Sequence, residues 1–523
     1  MKQPKIITPG VYTNEIDTSI PPVVGVPTSI VAFVGYTADY HFNGESYLNI
    51  PHKISSFKEF EDIYGYSAPL RNSHKFQVPE YYLVMQNLMR AGSIESDHIC
   101  IDYAIVPDAN TVYYLYHSVK LFYDNGGKEA YIVSVGGVGS PSGRPHPIGS
   151  SLINPSIRLN DLLNGFKLVE HIQKISLYAC PDAILLSWEE LSLLNKAMLE
   201  QCANLKTAFS ILDVKDGDIA KVNNFTTVIE QFRTRIGPDH LDYAAAYFPF
   251  ISTAVTGSYD INFSNLFGGN FDQLAVFLGS GEELSAITDR IRNSLSNEEE
   301  NSAWVSTNHF ELLNVSENYR MIVENVSRIA NRFPLSGAIA GIYAKMDETF
   351  GVWKSPANIR VIGASGLTVD LGNAHQENLT IDPVAGKSIN LLRKFTGKGV
   401  MVWGGRTLAG NHTHYRYIAI KRTLLYFEHT FKKYCQTYVE EPNNSVAWIK
   451  VKAGISLFLN QAWRDGALKG TKPEHAFKVD CSLGTTMTEQ DLQNGFMRVQ
   501  VLVALIRPLE FSFLTIKQKM EIQ

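Results

Sequence analysis

Residues 496–506, FMRVQVLVALI, form a nearly unbroken apolar run close to the end of the chain. A run of this length bounded by turn signals reads as a strand buried on both faces. Arg507 and Pro508 end it, because proline lacks an N–H and fixes φ. Beyond them Phe511 and Phe513 alternate with Glu510 and Ser512, the period-two pattern of an edge strand. An edge strand carries unpaired N–H and C=O groups and seeks another strand. The nearest such partner can belong to a second copy of the chain.

Two helices are expected before this ribbon. Ile420, Leu424, Phe427, Phe431, Tyr434 and Tyr438 recur at helical spacing, and Pro442 halts the pattern. Residues 446–463 are apolar almost all round, with Lys450 and Lys452 as the main charges. A helix with so little polar face is either core or contact surface. Ala476 to Cys481 alternate as a strand.

Charge is unevenly spread. Residues 381–523 carry 20 Lys and Arg against 11 Asp and Glu, while the remainder carries 27 against 41. The basic end can face one partner and the acidic remainder solvent or another; silent unevenness is the alternative. The overall net charge of −5 gives no drive toward nucleic acid or an anionic membrane. The basic residues Lys421, Arg422, Lys432 and Lys433 fall off the apolar stripe of the first helix, which reads as a solvated face and argues against nucleic-acid binding.

With 523 residues, 45% hydrophobic and 19% charged, the chain suits about two to four globular domains. Prolines 4, 9, 21, 22 and 27 make residues 1–28 an extended arm, with a short strand near Val11; a disordered tail is the alternative. Residues 29–150 open with TSIVAFVGY, a buried strand. They continue with helical spacing at Leu115, Val119 and Phe122, a stop at Asn125, Gly126 and Gly127, and a strand at 131–135. The Gly/Pro/Ser loop 137–147 is a plausible boundary. Residues 151–380 alternate: strands at 175–179 and 183–186, a helix at 189–206, a strand at 207–213, a helix at 227–236 and a strand at 243–248. This rhythm implies an α/β domain with a mainly parallel sheet. The pattern weakens at 255–330, an inserted lobe with an acidic run, NSLSNEEENS. Gly337, Ala338, Ala340 and Gly341 then permit close helix contact. Residues 381–508 form the C-terminal α+β module and 509–523 a terminal arm.

Chemical motifs are few. Gly386, Lys387 and Ser388 invite a phosphate-loop reading, but the required upstream glycine is Ile381, followed by Asp382 and Pro383. His412 and His414 have no thiolate or carboxylate beside them to complete a metal site. His429, beside Phe431, reads as a packed or surface histidine. Ser336–Gly337 and Ser365–Gly366 lack a nucleophile-elbow pattern. No catalytic, cofactor-binding or metal residue is therefore nominated, and no cofactor. Five scattered cysteines without CxxC read as reduced, mostly buried thiols. MKQPKIITPG has no apolar core for a signal peptide, and no run of about eighteen apolar residues exists. Synthesis and folding in a cytoplasm are expected.

TPGVYTNEID (8–17), the helix–GG–strand passage at 115–137, residues 333–363 and nearly all of 381–516 together resemble the sheath subunit of contractile phage tails and related contractile injection particles. The resemblance implies a subtilisin-like topology for the βαβ domain, without hydrolase chemistry. It implies stacked hexameric rings of this subunit around an inner tube, with baseplate and terminal cap proteins as further partners, and contraction that drives the tube through a target envelope. It also implies arms: Pro9, Gly10, Val11, Tyr12 and Thr13 at one end, and Glu510, Phe511, Ser512 and Phe513 at the other, add to sheets of neighbouring copies. From charge and placement, Lys450, Lys452, Arg464 and Lys469 are candidates to face an acidic tube. The rivals are a non-contractile shell or filament protein and a hydrolase on the βαβ domain. The length and the acidic lobe lean toward an injection particle.

Overall fold

The computed structural model describes residues 20–65, 79–85, 103–257, 260–295, 302–380, 382, 384 and 386–521. The arm residues Pro9, Gly10, Val11, Tyr12 and Thr13 lie outside this set. The chain divides into two compact units, Val26–Phe427 and Met1–Gly25 with Glu428–Gln523.

The larger unit is built on a nine-stranded sheet. Across it run His52–Ile54, Ala130–Gly137, Val31–Thr37, Leu177–Ala179, Phe209–Asp213, Ala244–Phe248, Ile389–Phe395, Gly399–Val402 and Ile359–Arg360. The strands from Ala130–Gly137 to Ile389–Phe395 pair in parallel; the flanking ones are antiparallel. Val31–Thr37 is fully buried because helices cover both faces. Phe33 meets Phe122 of the helix Leu115–Asp124 edge to face, while Val34, pointing the other way, lies against Gly165 of the helix Leu159–Val169.

Two buried carboxylates fasten helix N-termini at the carboxyl edge of this sheet. Asp182 accepts from the backbone N–H of Tyr36 (2.9 Å), Tyr114 (2.7 Å) and Leu115 (3.1 Å). Asp213 accepts from Leu335 (2.7 Å) and Ser336 (2.9 Å), at the start of the helix Ser336–Phe350. Burial pushes both carboxyls up to about 6, outweighing those hydrogen bonds, which favour the ionised form. The two helices so held press together. A Cβ on Gly337 would stand 2.1 Å from the Ser118 carbonyl oxygen, and one on Gly341 2.3 Å from that of Phe122. The small residues of 333–358 thus allow the close contact their sequence suggests.

Residues 183–186 depart from the strand expected there. Pro181–Leu185 is a 3-10 turn, because Pro181 opens it and Asp182 is committed to the helix cap. A second apolar cluster lies in the same unit. It joins Tyr81 and Leu83 of the antiparallel strand pair Tyr81–Met85 and Tyr103–Pro107 to Phe263, Phe271, Ile287, Leu312, Tyr319 and Ile322 from the region expected as an insertion.

The boundary expected at 381 is displaced. Ile389–Phe395 and Gly399–Val402 hydrogen-bond into the large sheet, and the division falls inside the helix Ile418–Gln436, between Phe427 and Glu428. Lys421 and Arg422, expected in solvent, are buried. Arg422 forms a two-pronged pair with Asp347 (2.9 and 2.5 Å) and donates to the Thr28 carbonyl. Lys421 meets Asp242 at 2.5 Å and lies 3.4 Å above the Tyr243 ring. Helical spacing puts them off the apolar stripe, but acidic partners elsewhere in the fold cover them.

The smaller unit contains the rest of that helix, the helix Ser445–Arg464 and a three-stranded antiparallel sheet in the order Phe477–Asp480, Phe496–Ala504, Phe511–Lys519. Phe431 packs edge to face on Phe458. Cys180, Cys202, Cys435 and Cys481 are free and buried; burial pushes the thiols of Cys202, Cys435 and Cys481 up to about 12.

Candidate functional site: the terminal strand and the exposed helix

Phe496–Ala504 and Phe511–Lys519 form a hairpin in continuous register from Phe496↔Lys519 to Ala504↔Phe511. The strand expected to leave for a neighbouring copy is therefore paired with its own chain here. The connection is six residues long, and Leu509 within it has φ +65°, a left-handed conformation that a branched side chain adopts only at a cost.

The first strand is not buried on both faces. Met497, Val499, Val501 and Val503 face the core, while Phe496, Arg498, Gln500 and Leu502 stay partly exposed. The apolar run contains an alternation that Leu502 disguises. On the terminal strand Leu514 and Ile516 point inward, so Phe513 points out and is 65% exposed; Phe511 and Ser512 are half-buried. Lys517 covers the Phe496 ring at 3.8 Å. Among the described residues no strand pairs with the outer edge of Phe511–Lys519.

The helix Ser445–Arg464 is opened by Asn444, whose side chain accepts from the N–H groups of Val446 and Ala447. It has two apolar sides. Ala447, Val451, Ile455 and Leu459 are buried; Val446, Ile449 and Leu457 lie in solvent. Their spacing places these exposed residues on one stripe with the half-buried Lys450 and the exposed Arg464. The sequence is apolar almost all round, and the fold separates the core side from the exposed side.

Of the four cations expected to face a partner, Lys450, Lys452 and Arg464 are on this helix, and Lys469 is in the loop after it. Lys450 reaches Glu441 at 3.5 Å and Lys452 reaches Asp480 at 3.3 Å. Burial raises the Asp480 carboxyl, but hydrogen bonds from Lys478 and Lys452 outweigh this and hold it below its ordinary range. Arg464 and Lys469 are exposed, and the Lys469 N–H donates to Ala504.

The other motifs are built into local structure. Lys387 donates to the Arg233 carbonyl, and Asp382 lies 3.5 Å from the Arg233 guanidinium. His412 Nδ1 accepts from the N–H groups of His414 and Tyr415 in an exposed turn. Among the described residues no helix is long and apolar enough to cross a membrane.

Residues 411–519 match the family described as Phage tail sheath C-terminal domain. The chain is similar to the tail sheath protein of Vibrio phage KVP40, 27% identical over 160 residues; this covers 28% of the chain and 23% of that relative. It spans about a quarter of the length of the curated relatives it matches. Two solved structures resemble it nearly end to end. One is the sheath of an extracellular contractile injection system, PVC, in the contracted state (20% identity, 98% of each chain, TM-score 0.58). The other is the contracted helical sheath of the anti-feeding prophage (21% identity, 98% of this chain and 99% of that one, TM-score 0.57).

Proposed function

We propose that this chain is the structural subunit of a contractile sheath, polymerising as stacked hexameric rings around an inner tube and shortening to drive that tube through a target envelope. The observation that carries the reading is the nine-residue terminal strand with an open edge and an exposed Phe513, in a chain of sheath-type fold. The βαβ unit supplies a rigid body of subtilisin-like topology, and the ends supply the linkage. In the free chain the terminal strand closes on its own hairpin; in the lattice the connection at 505–510 opens and the strand is exchanged between copies. A short hinge holding a residue at positive φ favours such exchange. The open edge receives the arm of another copy by strand addition.

Contraction needs no fuel site: two packings of the same subunits differ in contact energy, and many copies move together. The exposed stripe with Lys450 and Arg464, together with Lys452 and Lys469, faces the tube. Contacts by exposed cations are individually weak, about 0–1 kcal/mol, which suits a surface that must release. Baseplate and cap proteins terminate the stack.

Electron microscopy of the purified chain tests this. Hollow tubes of fixed diameter are expected. Removal of residues 1–20 or 509–523 abolishes them while the larger unit stays folded. Polymers that persist without both ends would refute the arm linkage, and a chain that remains monomeric at all concentrations would refute the sheath reading.

A further inference from the structure

In an open α/β sheet, the ligand crevice lies beyond the carboxyl ends of the strands, where strand order reverses. Val31–Thr37 marks that point in this chain. The next parallel strand in sequence, Ala130–Gly137, lies on one side of it, and the following one, Leu177–Ala179, lies on the other. At this edge is a cavity of about 200 Å³, with walls that include Tyr81, Val112, Tyr114, Leu152 and Phe333. Asp182 fixes one wall by accepting the Tyr114 and Leu115 N–H groups.

Besides tyrosines, the polar lining is His117, His146, Ser150, Asp218 and Arg332; His146 Nε2 lies 3.3 Å from the Ser150 carbonyl oxygen. Arg332 donates to the Asp218 backbone carbonyl at 3.3 Å. His117 is the unusual member. It is 8% exposed, its ring stacks on Phe333 at 4.4 Å, and its Nδ1 has no hydrogen-bond partner. Burial pushes its pKa down to about 4, so at neutral pH the ring is uncharged and offers an acceptor nitrogen. Size sets the rest. An apolar cavity of about 150 Å³ is enough for benzene, and one of this volume takes a single substituted ring but no helix or strand.

We propose that this cavity binds a small planar aromatic molecule carrying one hydrogen-bond donor, of the phenol class, with its ring among Tyr114, Val112 and Phe333 and its donor on His117.

Phenol and toluene, nearly equal in shape, are the probes, titrated into the full chain by calorimetry with thermal melting in parallel. Phenol is expected to raise the melting temperature saturably, with a Kd on the order of 0.1–1 mM for so few atoms. Ile219→Trp, at the rim where Ile219 is 38% exposed, is expected to block binding without changing the melting temperature of the free chain. His117→Leu is expected to lower the phenol-to-toluene affinity ratio about fivefold to tenfold. Absence of saturable binding, or binding unaltered by Ile219→Trp, would overturn the site. An unchanged ratio in His117→Leu would overturn the role of His117.

Discussion

The two sheets of this molecule end differently. The nine-stranded sheet finishes in very short strands, His52–Ile54 on one side and Ile359–Arg360 on the other. Its long parallel strands lie inside, under helices on both faces. The three-stranded sheet finishes in Phe511–Lys519, nine residues long, with Phe513 in solvent. Short edges protect a protein from pairing with other chains, and a long unpaired edge invites it. One sheet is thus closed at its edges, and the other leaves a long edge unpaired among the described residues. On the reading proposed above, the difference places assembly on the smaller unit.

Three substitutions sharpen or break that contrast. The largest effect belongs to the larger unit. Arg422→Ala strands Asp347 in a site where both side chains are 4% exposed. Loss of one partner from a buried pair costs about 3–5 kcal/mol, read as a fall in unfolding free energy by chemical denaturation. A loss under about 1 kcal/mol would mean the unit is not closed there.

The second is a pH effect. The Asp182 and Asp213 carboxyls move from 3.8 up to about 6 on folding, so between those values the folded chain holds protons that the unfolded chain has released. Their contribution is full below about pH 4 and is lost as pH rises through about 6. His117 moves the other way, from 6.5 to about 4, and its contribution is lost as pH falls through that window. The two trends partly cancel in the natural chain. Asp213→Asn keeps an acceptor for Leu335 and Ser336 but removes one carboxyl. The stability of the natural chain relative to this variant is expected to be about 2 kcal/mol greater at pH 4.5 than at pH 7. No pH dependence in that difference would show Asp213 to be ordinarily solvated.

The smallest effect on the monomer belongs to the smaller unit. Phe513→Lys should change monomer stability by no more than about 0.5 kcal/mol, because the side chain already lies in solvent. The same change should sharply reduce polymerisation measured by light scattering. Strong destabilisation of the monomer would place Phe513 in the core and remove the contrast.

Local signals carried much of this architecture. The apolar run TSIVAFVGY and the Asn125, Gly126 and Gly127 stop each specify their element, and each forms as read. What the sequence hid depends on distant partners. Lys421 and Arg422 look solvated until Asp242 and Asp347 arrive from elsewhere in the chain. The strands at 389–402 look like the start of a new module because their parallel neighbour, Ala244–Phe248, lies far back in sequence. The terminal ribbon was legible as an edge strand, but the face it presents was not: Phe511 and Phe513 are the larger side chains, yet Leu514 and Ile516 take the core. His117 and its cavity gave no linear signal, since the lining comes from widely separated segments.

The exchange of the terminal strand is tested most directly by cross-linking across the hairpin. Leu502 and Phe513 are register partners, close enough for a disulfide between cysteines placed there. In a chain with Leu502→Cys and Phe513→Cys, oxidation of the free monomer should join the two within one molecule. Oxidation after assembly should join neighbouring copies into a ladder on a non-reducing gel. Only intramolecular bonds in assembled particles would show that the strand stays home, and would contradict the account.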